Sequence, residues 1–295
     1  MKQLIIGSRA SRLAVIQAEM VRDALAAALP DWTFSIQTYK TTGDRILDRT
    51  LDQVGGKGLF TKELEAALFA GEVDLLVHSF KDVPMLVDER IPIVGVTARE
   101  DERDALVLPA GVEHLDPAKP IGCASKRRTL QLAKLFPGQA VEPVRGNVIT
   151  RLSKLDDGQF SALVLAAAGL KRLDLGRRIS RYFTVDEMLP AACQGILALQ
   201  ARADFDRSLL RGIHDPATWQ IACAERAFVR ALDGGCTAPT AAHAVRTGDQ
   251  LTLTGLFVPE DTGVMRLSAL SAPDGEAEAL GLRLARTISE RNQAE

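Results

Sequence analysis

EVDLLVHSFKDVP, residues 72–84, decides how the rest of the chain is read. Leu75, Leu76 and Val77 form an apolar run of strand length that gives way to His78, Ser79, Lys81 and Asp82 and stops at Pro84. A continuous apolar run bounded by polar residues fits a strand buried on both faces of a parallel sheet. In open α/β sheets ligands bind beyond the carboxyl ends of the strands, so Ser79 to Asp82 fall at a crevice. An isolated Lys-Asp pair more often marks a solvated turn, and a lone histidine more often a satisfied core residue. Position favours Asp82, because a carboxylate at a crevice mouth can move protons or face a cation.

The same alternation extends in both directions. LII (4–6) reads as a strand, and Leu13, Ile16, Met20, Ala24 and Leu25 follow at helical spacing up to Pro30. FSIQTY (34–39), a helix near 59–70 and IPIVGV continue a lobe of parallel-sheet units. After TAREDERDA (97–105) the pattern restarts, with strands expected at ALVLP, PIGCAS, AVEPV and SALVLAA, and MLPAACQGILALQA (188–201) brings another. Two such crossings predict one α/β lobe inserted into another: residues 1–96 with 197–214 form the first and 99–192 the second. Residues 216–295 read as a small α+β domain. Asp215 and Pro216 open its helix, LTLTGLFV and VMRLSAL are strands, and a helix over 275–292 closes it.

With 295 residues, 46% hydrophobic and 25% charged, the chain has the composition of a folded protein of two or three domains. No apolar run approaches the roughly 18 residues of a membrane helix, and MKQLIIGSR has too short an apolar segment for a secretory signal, so the expectation is a cytoplasmic protein with no membrane partner. The four cysteines form no CxxC pair, so neither a metal site nor a disulfide framework is expected. Net charge is only -2, yet residues 119–181 hold thirteen Lys/Arg against four Asp/Glu. Such a segment implies an anionic partner. Only Phe136 and Phe160 lie between Arg127 and Arg181, which offers bases few stacking platforms, so small anions are favoured over nucleic acid.

Several stretches could carry chemistry. In IIGSRASRLA (5–14), Ser11 is a candidate helix N-cap, while Arg9 beside a helix start suits a carboxylate. VGGKGLF (54–60) lacks the spacing of a phosphate-binding P-loop and reads as a glycine loop that carries Lys57 toward a crevice. CASKRR (123–128), VRGNVITRLSKL (144–155) and AAGLKRL (167–173) each place arginine just after an expected strand. Arg127, Arg128, Arg145, Arg151 and Arg172 are therefore expected to converge on one cleft, where planar guanidinium forks suit several carboxylates. In GGCTAP (234–239), two glycines and a proline put Cys236 in a tight exposed loop, a candidate nucleophile or attachment point; Cys223, in a helix, reads as packing.

Taken together, I-G-S-R-A-S-R-L-A, V-G-G-K-G-L-F-T-K-E-L-E, V-H-S-F-K-D-V-P, R-G-N-V-x-T-R-L-S-K-L, L-A-A-A-G-L-K-R-L, Q-G and L-D-G-G-C closely resemble the porphobilinogen deaminase (hydroxymethylbilane synthase) family, from about residue 4 to the last helix. The resemblance implies two lobes like type II periplasmic binding proteins joined by a double crossover, plus a small third domain. It implies a dipyrromethane cofactor held by a thioether to Cys236, with Asp82 catalytic. Porphobilinogen loses ammonia, the azafulvene is attacked by the terminal ring of the chain, and four additions precede hydrolytic release of hydroxymethylbilane. The product then passes to uroporphyrinogen III synthase in heme synthesis. By the same resemblance Lys81, Ser125, Arg127, Arg128 and Arg145 hold the cofactor, and Arg9, Ser11, Arg151, Arg172 and Gln194 the substrate. Lys57 lies on a loop over the cleft, Gln194 on the hinge, and the protein is a monomer.

Two departures stand out. Gly122-Cys123-Ala124-Ser125 replaces a G-T-S-S-like run, which removes two hydroxyl donors, and Cys193 replaces the small residue, commonly glycine, before Gln-Gly. Three rival readings differ in what they require. A two-lobed solute-binding protein has no use for the GGC loop, an oligonucleotide binder needs aromatic platforms, and a degenerate relative would bind cofactor without turnover.

Overall fold

Gly7 explains how closely the first sheet is built. A Cβ there would meet Leu76 Cδ2 at 2.6 Å, so glycine lets β1 (Lys2–Arg9) lie against β3 (Leu75–Ser79), with Gly7 opposite Leu76, without displacing the buried Leu76 side chain. The computed structural model describes residues 2–45, 61–232, 239–259 and 261–290, which fall into two compact units, Met1–Glu100 with Gly195–Trp219 and Asp101–Gln194 with Gln220–Glu295.

In the first unit β1 pairs in parallel with β2 (Trp32–Tyr39) along its whole length, from Lys2 opposite Trp32 to Arg9 opposite Tyr39. The sheet order is β2-β1-β3-β10-β4, where β4 is Ile93–Val96 and β10 is Leu197–Ala201. β3 is central, which is why Leu75 to His78 are all buried instead of alternating. α1 (Arg12–Ala28) lays Ala14, Gln17, Ala18, Val21 and Leu25 on one face at three- and four-residue steps, and Ala18, Val21 and Leu25 join Leu4, Ile6, Leu75 and Val77 in one core. Pro30 stops the helix. Truncating a core side chain such as Leu25 to alanine costs about 2–5 kcal/mol. α2 (Lys62–Phe69) places Leu64, Ala67 and Leu68 against Val73, Leu76 and Ile91 in a second core.

The second unit repeats this plan. Its five-stranded sheet runs β7-β6-β8-β5-β9, with β5 at Asp104–Val107, β6 at Ile121–Gly122, β7 at Val141–Glu142, β8 at Ala162–Ala166 and β9 at Arg181–Tyr182. Gly122 stands opposite Leu163, and a Cβ there would meet Leu163 Cδ2 at 2.5 Å, the counterpart of Gly7 and Leu76. α3 (Lys126–Leu135), α4 (Val148–Asp156) and α5 (Ala167–Arg172) flank the sheet, and separate cores form around Leu155 and Leu165 and around Leu132 and Phe183. Both sheets contain the expected parallel pairs, β1 with β2 and β3 and β6 with β7 and β8, and antiparallel pairs beside them. β10 runs antiparallel to β3 and β4, and β5 antiparallel to β8 and β9. These are the strands next to the crossings, where the chain enters or re-enters a sheet without a helical crossover to set a parallel direction.

The last segment carries α6 (Pro216–Ala231), an antiparallel sheet β11-β12-β13 (Ala241–Thr247, Gln250–Phe257, Arg266–Pro273) and α7 (Ala277–Glu290). Asp215 Oδ1 accepts the Thr218 N–H at 2.6 Å, the cap that the Asp-Pro pair predicts. Gly281 lets α7 approach α6, since a Cβ would meet Ala224 O at 2.4 Å. Mixed α/β architecture with a separate sheet-and-helix segment at the C-terminus is thus present.

Candidate functional site

β3 delivers its polar end into a short 3₁₀ turn, Phe80–Asp82. Phe80 and Val83 are buried and pin the turn, the Phe80 N–H reaches Ile196 O at 3.0 Å, and Lys81 is half-buried while Asp82 is exposed. With Phe80 and Val83 buried on either side, Asp82 is the residue of the turn left exposed.

His78, directly beneath, is buried and lies 3.0 Å from Gln200 Oε1, while the Gln200 amide donates to Ile91 O at 2.9 Å. That amide orientation makes His78 Nε2 the donor. Burial pushes the imidazole down to about 4; the Gln200 bond opposes this, the nearby Arg9 charge adds to it and Asp82 opposes it. Arg9 and Asp82 therefore both bear on a histidine that is neutral at pH 7. Arg9, half-buried, ends β1, and Ser11 caps α1, its Oγ accepting the Ala14 N–H at 3.4 Å. Ser11 spends an acceptor on the cap and keeps its hydroxyl proton as a donor. Gln17 Nε2 donates to Ser79 Oγ at 3.0 Å and steadies the end of β3.

In the second unit Arg127 and Arg128 do not sit as surface arginines. Both are buried on the first turn of α3 around Asp104, which is fully buried. Arg127 Nη1 donates to Asp104 Oδ2 at 2.7 Å and to Leu189 O at 2.7 Å. Arg128 donates to Asp104 Oδ1 from Nη2 at 2.7 Å and from Nε at 3.0 Å, and to Val164 O at 3.2 Å. Gln194 Nε2 completes the cluster, at 2.9 Å from Asp104 Oδ1 and 2.7 Å from Glu102 O. Burial by itself raises the Asp104 carboxyl, but the charges and hydrogen bonds of Arg127 and Arg128 prevail and hold it far below the usual carboxylate range. Burial lowers Arg127, with Asp104 opposing. Two guanidiniums thus share one buried carboxylate.

The R-G-N turn positions two further arginines. Gly146 has φ 109, Asn147 caps α4 by accepting the Thr150 N–H at 3.0 Å, and Arg151 Nε donates to Gly146 O at 2.8 Å. Arg145 and Arg151 are thus held on one turn, both half-buried, and Arg172, also half-buried, ends α5. The Nε atoms of Arg145 and Arg172 are shielded from solvent. Ser125 is the N-cap of α3 with no side-chain cap bond, and its carbonyl accepts from Cys123 Sγ at 3.6 Å, so the Cys123 thiol is turned into its own loop. Cys223 is half-buried in α6, and burial pushes its thiol up, in keeping with packing. Lys57 and Cys236 lie outside the described residues.

Three carboxylates escaped the sequence reading. Asp104 opens an apolar strand, and a charged residue at the head of that run was its available signal. Glu225 lies on the Ile221–Phe228 stripe of α6, where an acid among apolar residues breaks the pattern. Glu102 Oε1 lies 3.2 Å from His243 Nε2 and had no signal in periodicity.

A family model described as porphobilinogen deaminase, dipyromethane cofactor binding domain, matches residues 4–209, and one described as porphobilinogen deaminase, C-terminal domain, matches residues 219–290. The chain is 53% identical over 280 residues to a porphobilinogen deaminase of Acetivibrio thermocellus, covering 95% of this chain and 96% of that one. It is 51% identical over 288 residues to one of Ruminiclostridium cellulolyticum, covering 98% of each, and 46% identical over 299 residues to one of Chromobacterium violaceum, covering 98% and 94%. Among solved structures, substrate-binding domain 2 of Lactococcus lactis GlnP covers 72% of this chain and 87% of its own, with a TM-score of 0.43 and 12% identity. Family matches spanning nearly the whole length, with relatives at about half identity, leave one assignment: the chain belongs to the porphobilinogen deaminase family.

Proposed function

We propose that Asp82 carries the chemistry of this family's activity, a transferase reaction of tetrapyrrole synthesis, and that the basic residues of the second unit hold carboxylates of cofactor and substrate. The supporting observation is an exposed carboxylate on a pinned turn, close enough to act electrostatically on a buried histidine that stays neutral. Asp82 delivers a proton at the aminomethyl nitrogen of porphobilinogen and faces the cationic character that develops in the pyrrole as ammonia departs. Lys81, on the same turn, serves a carboxylate. His78 takes no part in proton transfer.

The donor set fits a dipyrromethane, whose acetate and propionate groups require several cations. When bound through the thioether at Cys236, it supplies the primer to which porphobilinogen units are joined, four in all before hydroxymethylbilane is released. Ser125, Arg127, Arg128 and Arg145 would hold its carboxylates, and Arg9, Ser11, Arg151, Arg172 and Gln194 those of substrate; Lys57 serves as a loop residue. The reading also takes the chain as three domains (1–96 with 197–214, 99–192 and 216–295), working as a cytoplasmic monomer that hands its product to uroporphyrinogen III synthase in heme synthesis. No helix among the described residues is long and apolar enough to cross a membrane.

Intact-mass measurement under denaturing conditions tests the assignment of Cys236. The wild-type chain is expected to be heavier than its sequence by one dipyrromethane, and Cys236→Ser to match its sequence mass. An active wild-type chain of unmodified mass would overturn it.

A further inference from the structure

Arg127 and Arg128 meet the same carboxylate with different edges of their guanidiniums. Arg128 turns its Nε and Nη2 edge on Asp104 Oδ1, at 3.0 and 2.7 Å. Arg127 reaches Asp104 Oδ2 and Leu189 O from Nη1 alone, both at 2.7 Å, which uses the two protons of that nitrogen. Its Nε and Nη2 have no hydrogen-bond partner among the described residues, although the residue is only 6% exposed. That edge is the side-on fork that takes a carboxylate through two parallel bonds, and leaving buried donors idle is costly.

Leu189 O holds Arg127 in this attitude, and Gln131 holds Leu189. Gln131 is buried one turn after Arg127 on the same face of α3. Its Oε1 accepts the Leu189 N–H at 2.8 Å, and its Nε2 donates to Leu189 O and to Arg127 O, both at 3.2 Å. A carboxamide donates and accepts at once, so Gln131 serves Leu189 as a neighbouring strand would. An apolar side chain would pack there without the cost of burying an amide. Leu189 is fixed at its other end as well. Its side chain lies in a core with Ala241, Leu256 and Val258, and Pro190 O accepts the Ala242 N–H at 3.3 Å. The shared carbonyl is therefore a fixed anchor that accepts from Gln131 and from Arg127.

We propose that Gln131 is a positioning residue for ligand binding: by fixing Leu189 O it pins Arg127 through Nη1, and so keeps the Nε and Nη2 edge for a ligand carboxylate. The inference rests on the reading of Arg127 as a holder of cofactor carboxylate.

The test compares wild type, Gln131→Met, Arg127→Lys and the double variant as isolated. It reads intact mass, thermal midpoint, steady-state kinetics with porphobilinogen and nuclear magnetic resonance of the arginine Nε–H groups. Methionine fills the space of glutamine without its hydrogen bonds. The Nε–H signal missing from Arg127→Lys belongs to Arg127, and a carboxylate on that edge protects it from exchange with water. In Gln131→Met its exchange should be at least about tenfold faster than in wild type. The kcat per adduct-bearing molecule should fall about tenfold with KM changed less, because the held ligand is no longer aligned. In the Arg127→Lys background Gln131→Met should cost no further kcat, since lysine has no fork to aim. Gln131→Glu keeps the acceptor for the Leu189 N–H and loses the donor to Leu189 O; it should show the same losses, and it takes the place of Gln131→Met if that variant does not fold. A lower midpoint with unchanged Nε–H exchange and unchanged kcat per loaded molecule would overturn the inference and leave the reading of Arg127 standing. Arg127→Lys with wild-type adduct content, KM and kcat would overturn that reading and the inference with it.

Discussion

Asp82 and Asp104 are both aspartates at the end of an apolar strand, and their surroundings are opposite. Asp82 follows the carboxyl end of β3, exposed on a turn pinned by Phe80 and Val83. Asp104 begins β5, fully buried between two guanidiniums and an amide. A carboxylate that must exchange protons with a ligand needs access, whereas one that organises cations needs burial and saturation of its lone pairs. Asp104 pairs with Ala166 at the carboxyl end of the antiparallel β8, so both acids lie at the carboxyl edge of their sheets, and burial rather than strand end separates them.

The largest expected effect breaks the Asp104 side of this contrast. Asp104→Asn leaves two buried guanidiniums short of their counter-charge and should cost about 3–5 kcal/mol, read from the urea midpoint at pH 7. A loss below about 1 kcal/mol would mean that the arginines are not held by this acid. His78 probes the other side. Its folded value of about 4 lies below its ordinary 6.5, so the unfolded chain takes up the proton first. Its contribution is intact above about 6.5, is lost as the pH falls toward 4 and levels off below that, a change of ~3 kcal/mol. Wild type should therefore lose more stability than His78→Gln between pH 7 and pH 4.5; parallel curves would place a charged or solvated imidazole there. A smaller effect separates the two helix starts. Ser11→Ala should cost about 1 kcal/mol by removing a cap bond, and Ser125→Ala much less, because the Ser125 hydroxyl makes no cap bond. Comparable thermal shifts for the two would remove that distinction.

Strand β3, helix α1 and the Asp-Pro cap of α6 were legible in the sequence because each rests on local pattern: a run buried on both faces, a 3.6-residue stripe and a capping pair. β11 was not. AAHAVRT is rich in alanine, a weak strand former, and its order comes from pairing with β12 and from Pro190 and Glu225 on its outer edge. Strand direction escaped for a similar reason, since β5 and β10 take their antiparallel sense from where the chain crosses between lobes. Among candidate site residues, the position of Asp82 just past a strand end was legible from the apolar run before it, and the positions of the arginines from the strands they follow. Burial of Arg127 and Arg128 around Asp104 could not be foreseen, because the partner lies on a different strand and no local spacing joins them.

Asp82→Asn, measured by intact mass and by turnover with porphobilinogen, tests the central claim most directly. The side chain is exposed, so folding and the dipyrromethane increment at Cys236 should persist while kcat falls by at least about 10²-fold. A variant with the increment and wild-type kcat would remove Asp82 from the mechanism.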